Sequence, residues 1–152
     1  MKKIIIIGAG AMSSAFAVPC LENKNDVTIV GTHLEDELID KIKLSKNNHP
    51  TLNVKLPESL KVEKFIKLKS ILKQNIDVIV VGVSSIGIKW FVDQIAEDYK
   101  KNTPIVLLTK GLSIIDGEIT TLSDKIKILL KEKGHKEINI SAIKGPCLAA
   151  GL

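Results

Sequence analysis

The 152-residue sequence predicts an α/β fold, in which a doubly wound, mostly parallel sheet carries helices on both faces. Short, continuous runs of β-branched and other apolar residues recur along the chain, and such runs are typical of strands buried on both faces. Segments with apolar residues at helical spacing separate them. Because strands alternate with helices, the pattern indicates βαβ units. The length suits one domain.

The predicted elements follow one another without a linker, an internal repeat or a low-complexity tract. The predicted strands are Lys3–Ile7, Val27–Val30, a short Lys61–Glu63, Asp77–Val83, Ile105–Leu108 and Ile138–Ile143. The predicted helices are Ala11–Asn23, Glu35–Ser45, Phe65–Gln74, Gly87–Tyr99 and Glu118–Lys133. Gly134 follows the last helix and is a favoured residue at helix C-termini. Residues 47–59 are predicted to form a loop.

The composition excludes several classes of protein. Hydrophobic residues make up 45% and charged residues 26%, as in globular proteins and unlike disordered ones. The apolar run near the N-terminus is too short and too interrupted by glycine to span a membrane, and a strand entering a helix explains it better than a signal peptide does. Two cysteines and three scattered histidines form neither a disulfide framework nor a zinc motif. We therefore expect no bound metal and a reducing, cytoplasmic location.

The charge pattern favours a small anionic ligand over a macromolecule. The formal net charge is +5, and the lysines are spread through the chain. One Trp, one Tyr and three Phe are too few for a surface on which bases stack. We expect neither a nucleic-acid nor a membrane partner, whereas a mild basic excess suits an anionic small molecule.

The first predicted strand ends in Gly8-Ala9-Gly10-Ala11-Met12-Ser13, a G-x-G-x-x-S pattern. Gly8 suits a tight turn, Gly10 lets the backbone approach a pyrophosphate, and the following helix N-terminus offers N–H groups and partial positive charge. Its place between a strand and a helix favours a Rossmann-type site for NAD or NADP over a glycine turn without a ligand. Ser13 stands where Gly or Ala is usual. Its hydroxymethyl group should push helix and strand apart or hydrogen-bond locally.

The second predicted strand lacks the acid at its tip that commonly holds the ribose 2′-hydroxyl of NAD. Thr32 and His33 follow instead, and either side chain suits a 2′-hydroxyl or a 2′-phosphate. The preference between NAD and NADP therefore stays open. In an alternative interpretation, His33 is an exposed loop residue, while Glu35 and Asp36 only cap the next helix.

The strand ends at Val83 and Leu108 carry further candidate residues. Val83 and Ser84 suit close packing against the nicotinamide-side ribose or the phosphates, although Ser84 or Ser85 would also serve as a helix N-cap. Lys110 follows the next strand, where an ammonium group can bind a phosphate or polarise a carbonyl. The alternative is that Lys110 is a solvated loop lysine. We favour a place for Lys110 in the binding site.

The last predicted strand leads into Gly145-Pro146-Cys147-Leu148-Ala149. Pro146 suits the first position of a helix, which leaves the N–H groups of residues 147–149 free to meet an anion. A helix start also lowers the pKa of a cysteine thiol. No histidine partner for Cys147 is evident, however, and we favour a small spacer over a nucleophile at that position.

Taken in order, these motifs resemble the N-terminal, cofactor-binding half of NAD(P)-dependent glycerol-3-phosphate dehydrogenase of the bacterial and archaeal type. The resemblance covers nearly the whole chain. It rests on residues 8–19, 30–32, 82–85, His49-Pro50 and Leu56-Pro57. The most specific matches are Leu108-Thr109-Lys110-Gly111-Leu112 and the Gly-Pro-x-x-Ala turn at residues 145–149.

The resemblance implies a role for several residues. Gly8, Gly10, Ala11 and Met12 would contact the pyrophosphate, with Ser13 in the same loop; Thr32 would lie near the adenosine ribose. Lys110 would touch both cofactor and substrate, Gly145 and Cys147 the substrate, and Ala149 the cofactor. The implied reaction is reversible hydride transfer between the nicotinamide and dihydroxyacetone phosphate, which forms sn-glycerol 3-phosphate for phospholipid synthesis.

The chain departs from the family pattern in three ways. Ser13 replaces a usual glycine, and Lys144 stands where a small residue usually precedes Gly-Pro. Family members are about twice as long, and a second, helical domain supplies their principal proton-donating lysine and phosphate-binding basic residues. We therefore expect residues 1–152 to be the dinucleotide-binding part of a longer protein, a homo-oligomer when complete. Alone they should bind NAD(P) weakly, turn over little and expose an apolar surface.

Two other interpretations stay open. The chain could come from another two-domain NAD(P) reductase, such as a ketopantoate reductase or an imine-reducing relative, which shares the fingerprint. It could also be a non-catalytic nucleotide-binding module that senses redox state or serves a partner.

Overall fold

A computed structural model of the chain describes residues 1–143. Its strands are β1 (Lys3–Ile7), β2 (Asp26–Val30), β3 (Asn48–His49), β4 (Val54–Lys55), β5 (Lys61–Glu63), β6 (Val78–Val81), β7 (Ile105–Leu107), β8 (Leu112–Ile115), β9 (Glu118–Thr121) and β10 (Ile140–Ala142). Its α-helices are α1 (Ala11–Glu22), α2 (Asp36–Leu44), α3 (Leu68–Leu72), α4 (Ile88–Ile95) and α5 (Leu122–Glu132). Short 3₁₀ helices, Phe65–Lys67 and Ser85–Gly87, lead into α3 and α4.

Six of the strands form one sheet in the order β10-β7-β6-β1-β2-β5, and every neighbouring pair is parallel. Numbered along the chain within this sheet, the order is 3-2-1-4-5-6 from the β5 edge, which is the order of Rossmann-type folds. The predicted fold class is confirmed. The strand order reverses between β1 and β6, so the crevice beyond their carboxyl ends is where such folds bind ligands.

The unbroken apolar runs in the sequence are explained by cores on both faces of the sheet. Along β1, Ile5 and Ile7 belong to one hydrophobic cluster, whereas Ile4 and Ile6 belong to the other. Helices α3, α4 and α5 cover the first cluster, and α1 and α2 cover the second. Because neighbouring residues of a strand point to opposite faces, a strand between two cores needs an apolar residue at every position.

Helix α1 packs against the sheet through small side chains. Its buried residues are Ser13, Ser14, Ala15 and Ala17. Small side chains let a helix axis approach a sheet closely. The close approach matters for the site, because it brings the N-terminus of α1 next to the end of β6.

Most predicted elements are present with shorter bounds. Helix α2 begins at Asp36, one residue after the predicted start, and α4 ends at Ile95 instead of Tyr99. The last strand is confined to Ile140–Ala142. The predicted stop at Gly134 is confirmed: this residue has φ of 94°. Its N–H donates to the carbonyl of Lys131, and the next N–H donates to Leu130, the pattern of a Schellman C-cap.

The predicted helix Glu118–Lys133 is wrong at its start. Residues 118–121 form strand β9, which pairs with β8 in an antiparallel hairpin, and α5 begins only at Leu122. Asp116 and Gly117 both have positive φ, 51° and 84°, as two-residue hairpin turns require. The β-branched residues on either side then favour strands over a first helical turn.

The predicted loop at residues 47–59 also contains structure. Strands β3 and β4 pair in a second, very short antiparallel hairpin, with His49 opposite Val54. A hairpin of two residues a side has too little periodicity to be recognised in a sequence.

Neither a membrane-spanning helix nor a metal cluster is found in the described part of the chain, which ends at residue 143. The predicted site residues Gly145, Cys147 and Ala149, and Lys144 before them, lie outside the described residues. Within residues 1–143, none of the helices has the length and apolar character that crossing a membrane requires. That same part of the chain contains no group of three or more His, Cys, Asp or Glu residues placed to hold a metal ion.

We predict that Thr121→Ala destabilises the chain by about 1 kcal/mol, because the side chain caps α5. The Thr121 hydroxyl accepts a hydrogen bond from the Asp124 N–H at 3.1 Å and contacts the Asp124 carboxylate at 2.7 Å. Urea unfolding measures the loss. The same substitution at neighbouring Thr120 is the control, and equal destabilisation by both variants would contradict the capping role.

Candidate functional site

A cleft opens where the chain leaves β1, β6 and β7, at the carboxyl edge of the sheet. Its volume is about 330 Å³. It brings together three motifs that are far apart in the sequence. The lining residues are Gly10, Ala11, Met12, Gly82, Val83, Ser84, Leu108, Thr109 and Lys110.

A second cleft of about 490 Å³ continues from the first toward the end of β2. The two clefts share Gly10, Gly82, Val83 and Ser84. The second is lined further by Thr32, His33, Leu34, Glu35, Ile86, Gly87 and Trp90. Together they form one elongated groove across the point where the strand order reverses. We call it the switch-point groove.

The floor of this groove depends on a close approach between the turn after β1 and the turn after β6. Gly8 has φ of 105°, which side-chain-bearing residues rarely adopt. A Cβ on Gly8 would also lie 2.7 Å from the carbonyl oxygen of Gly82. Gly8 is thus required twice, for its backbone conformation and for the room it leaves.

Gly10 is present for a different reason. Its φ of −64° and ψ of 171° are accessible to any residue. Among the described residues, nothing lies within 4 Å of where its Cβ would be. Neither the backbone conformation nor packing against the described residues therefore requires glycine at this position. Gly10 leaves open space in the groove, at the start of α1.

The N-terminus of α1 faces the groove without a side-chain cap. Gly10 is the N-cap residue, and in the described part of the chain no side chain bonds to this helix start. The first N–H groups of a helix have no partner within the helix. Ala11 and Met12, in the first turn, both line the cleft. The arrangement offers N–H donors and partial positive charge to an anion.

Ser13 hydrogen-bonds locally, the second of its two expected effects. The side chain is fully buried, and its hydroxyl lies 3.5 Å from the carbonyl oxygen of Gly82, to which it donates a long hydrogen bond. A Cβ on Gly82 would overlap the Ser13 hydroxyl. The larger residue on α1 is thus matched by the absence of a side chain on the turn after β6. Ser13 lies beneath the groove and lines neither cleft.

The backbone of Ala9, between the two glycines, is held by two side chains. The Glu35 carboxylate accepts a hydrogen bond from the Ala9 N–H, with both oxygens at 3.1 Å, and another from the Thr32 N–H at 2.7 Å. On the other side, Nε2 of His49 lies 3.2 Å from the Ala9 carbonyl oxygen.

The interpretation that Glu35 only caps α2 is therefore wrong. Glu35 is the N-cap residue of α2, but its side chain makes no cap bond and turns back to the β1–α1 loop. The signal in the sequence is an acid five residues after Val30, which is late for the usual ribose contact. Only the bend of the loop at residues 31–35 brings the carboxylate to Ala9.

The sequence assigns no role to His49, which belongs only to a matching His-Pro pair. The ring is fully buried, and its Nδ1 accepts hydrogen bonds from the N–H groups of Thr51 and Leu52, at 3.3 and 3.2 Å. Because Nδ1 is an acceptor, we assign the ring proton to Nε2. His49 therefore donates to the Ala9 carbonyl.

His33 lies at the far end of the groove, packed against aromatic rings. Its ring centroid is 5.1 Å from that of Trp90 and 6.1 Å from that of Phe65. His33 is exposed, as one of the two interpretations expects, but it forms part of the groove wall. Contact of Thr32 or His33 with a coenzyme ribose stays a prediction. Sequence reasoning missed Trp90, whose place in the groove follows from the position of α4 in the fold.

Lys110 stands at the mouth of the groove on a loop that is fastened to its neighbour. The Thr109 hydroxyl donates to the carbonyl of Val83 at 2.6 Å, which ties the segment after β7 to the segment after β6. The Lys110 side chain is exposed to solvent and lines the smaller of the two clefts. Ser84 is the N-cap residue of the 3₁₀ helix Ser85–Gly87, but its hydroxyl makes no cap bond and the side chain lines both clefts.

Cys20 has no part in this site. It lies on α1, partly buried against the core cluster beneath β1 and β2. Burial raises the pKa of the Cys20 thiol, which disfavours the reactive thiolate. This environment indicates that Cys20 serves packing.

The sequence matches one protein family over almost its whole length. A family model described as "NAD-dependent glycerol-3-phosphate dehydrogenase N-terminus" matches residues 3–152. An NADP(+)-dependent glycerol-3-phosphate dehydrogenase of Archaeoglobus fulgidus is 34% identical over 96% of this chain, which covers 42% of the relative. A glycerol-3-phosphate dehydrogenase [NAD(P)+] of Mesoplasma florum is 30% identical over 97% of this chain, again covering 42% of the relative.

Solved structures agree on the fold. A glycerol-3-phosphate dehydrogenase of Coxiella burnetii superposes with a TM-score of 0.77 at 23% identity, over 98% of this chain and 42% of that one. The enzyme of Saccharomyces cerevisiae superposes with a TM-score of 0.76 at 18% identity, over 98% of this chain and 43% of that one. The chain thus spans well under half the length of these relatives.

We predict that Gly82→Ala destabilises the chain by about 1–3 kcal/mol, because the new methyl group overlaps the Ser13 hydroxyl. Adding Ser13→Gly to this variant should recover part of the loss, although Ser13→Gly alone costs about 1 kcal/mol in a helix. Urea unfolding of both single variants and the double variant gives the coupling energy. Strictly additive effects would contradict the contact.

Proposed function

The chain belongs to the NAD-dependent glycerol-3-phosphate dehydrogenase family, whose N-terminal part it matches, and we propose that it is the coenzyme-binding half of such an enzyme. In this proposal, NAD or NADP lies along the switch-point groove. The complete protein interconverts dihydroxyacetone phosphate and sn-glycerol 3-phosphate by hydride transfer.

The observation that carries this proposal is the open space at Gly10. Glycine is costly in a folded chain because it loses more conformational freedom than other residues, so a glycine needs a reason. At Gly10 neither φ nor packing against residues 1–143 supplies one, since none of these residues occupies the space beside its Cα. A ligand that approaches the backbone closely is a sufficient reason. The adjoining N-terminus of α1 makes that ligand an anion, such as a pyrophosphate.

The rest of the groove suits the remainder of a dinucleotide. The branch lined by Thr32, His33 and Trp90 fits the adenosine, because aromatic walls and a hydroxyl suit a base and a ribose. The branch that ends at Lys110 fits the nicotinamide half, beside Val83 and Ser84. When bound, the coenzyme supplies the hydride acceptor or donor that no side chain can provide.

Lys110 is the described residue best placed to meet the substrate. Its ammonium group can bind a substrate phosphate or stabilise charge that develops on a carbonyl oxygen. The Thr109–Val83 hydrogen bond holds its loop beside the coenzyme branch, which favours orientation of the substrate against the nicotinamide. Gly145 and Cys147 as substrate contacts, and Ala149 as a coenzyme contact, stay predictions.

We also propose that a further unit covers the substrate end, because these relatives are more than twice as long as the matched region. An apolar surface beside Lys110 supports this proposal. Leu112, Ile114 and Ile119 are 65–74% exposed on the outer face of the β8–β9 hairpin. Covering them would exclude water from the site. Homo-oligomer formation and a cytoplasmic location stay predictions.

Calorimetric titration of the 152-residue chain with NADH and NADPH tests the coenzyme site. We predict saturable binding of at least one coenzyme and its loss in Gly10→Val, because the side chain fills the space reserved for the phosphates. The substitution should cost only about 1 kcal/mol of stability, because valine is a poorer N-cap than glycine, whereas φ suits valine and the described residues leave the space open.

Thermal unfolding of Gly10→Val is the control for the fold. Undiminished binding by a folded Gly10→Val variant would contradict the proposed site. Binding of neither coenzyme by the unsubstituted chain would contradict the function itself. The preferred coenzyme would show whether the surroundings of Thr32 and His33 favour a 2′-hydroxyl or a 2′-phosphate.

A further inference from the structure

We propose that Glu35 is a positioning residue for the coenzyme. It acts by holding the Ala9 N–H, and with it the backbone between Gly8 and Gly10, in the conformation that presents the groove to the pyrophosphate. This inference rests on the proposed coenzyme-binding function and deepens it. The observation behind it is that side chains from two separate segments engage both backbone polar groups of one loop residue, the Ala9 N–H and the Ala9 carbonyl.

The β1–α1 loop needs an external support. Gly8 and Gly10 flank Ala9, and glycines permit many backbone conformations. The loop therefore cannot fix its own shape through local sterics. Ala9 is fully buried, so its peptide groups must find partners inside the protein. Glu35 and His49 are those partners.

The two contacts act from opposite sides. Glu35 joins the loop to the segment after β2, because the same carboxylate accepts from the N–H groups of Ala9 and Thr32. His49 is fixed in turn by the N–H groups of Thr51 and Leu52, and so offers a rigid donor to the Ala9 carbonyl. Rotation of the Gly8–Ala9 peptide would break the contact with Glu35, and rotation of the Ala9–Gly10 peptide would break the contact with His49.

Glu35 is better explained as a support than as a ribose ligand. An acid that holds the ribose 2′-hydroxyl usually stands at the tip of the second strand, with its carboxylate free for the ligand. Here both oxygens of Glu35 already accept from backbone N–H groups, and the carboxylate is half-buried. A carboxylate that is held by two backbone N–H groups of the protein serves the shape of the loop, and a fixed loop shape is what a preorganised site requires.

The size of the effect follows from population arithmetic. Apparent affinity falls in proportion to the fraction of molecules in the binding-competent conformation. If the unsupported loop is competent in about a tenth of molecules, the affinity for NADH falls about tenfold.

Glu35→Gln tests the proposal with almost no change of shape. Glutamine has one acceptor oxygen, and its amide group would face the N–H donors of Ala9 or Thr32. We expect the NADH affinity of the 152-residue chain to fall about tenfold. Amide hydrogen exchange at Ala9 and Thr32 should become faster, which a general loss of stability would not confine to these two residues.

Glu37→Gln is the matched control. Glu37 is exposed in the first turn of α2, two residues from Glu35, and the variant loses the same charge. Removal of a negative charge near a pyrophosphate should by itself strengthen coenzyme binding. The loss of the positioning role lowers the affinity of Glu35→Gln for NADH, whereas the charge effect raises it. Glu37→Gln measures the charge effect alone.

Each outcome decides the matter. A tenfold weaker NADH affinity in Glu35→Gln, with near-normal affinity in Glu37→Gln, supports the positioning role. Unchanged or tighter binding by Glu35→Gln overturns it, as does equal weakening in both variants. If the unsubstituted chain binds neither coenzyme, the proposed function fails first and the positioning role falls with it. If the unsubstituted chain binds NADH and only the positioning role of Glu35 is overturned, the proposed coenzyme-binding function is unaffected.

Discussion

The close approach of two backbone turns, at Gly8 after β1 and Gly82 after β6, is the constraint on which the rest of the structure depends. Gly8 could not carry a side chain there, because its Cβ would meet the Gly82 carbonyl. Gly82 in turn leaves room for Ser13 of α1. These contacts draw the N-terminus of α1 against the centre of the sheet. The switch-point groove, the helix N-terminus that faces it and its preorganised loop all follow from that approach.

The fold was largely predictable because its strands are buried on both faces. An unbroken run such as Ile4–Ile7 has no other simple explanation in a chain of this size, and the alternation with helices then fixes a parallel sheet. The errors have local causes. Residues 118–121 were predicted as helical because Ile119 and Leu122 suit the face of the helix that follows. The Asp116-Gly117 turn outweighs that periodicity by reversing the chain.

The site was predictable where it depends on strand ends and not where it depends on loops. Gly10, Ser84 and Lys110 each follow a strand, and parallel strands bring their carboxyl ends to one edge. Glu35 and His49 reach Ala9 from the segments at residues 31–35 and 48–55, whose paths no periodic pattern encodes. Trp90 falls within the predicted helix Gly87–Tyr99, but only the tertiary position of α4 brings it to the groove.

The switch-point groove, at the ends of β1 and β6, is the proposed binding site for the pyrophosphate of a nicotinamide coenzyme. The most direct test is a titration of the isotope-labelled chain with NADH, followed through its backbone amide resonances. If the pyrophosphate lies at the start of α1, the largest shifts occur at Gly10, Ala11 and Met12, with smaller ones at Val83 and Ser84. Shifts confined to another surface, such as the small cleft at Lys101 and His135, or no shifts at all, would contradict it.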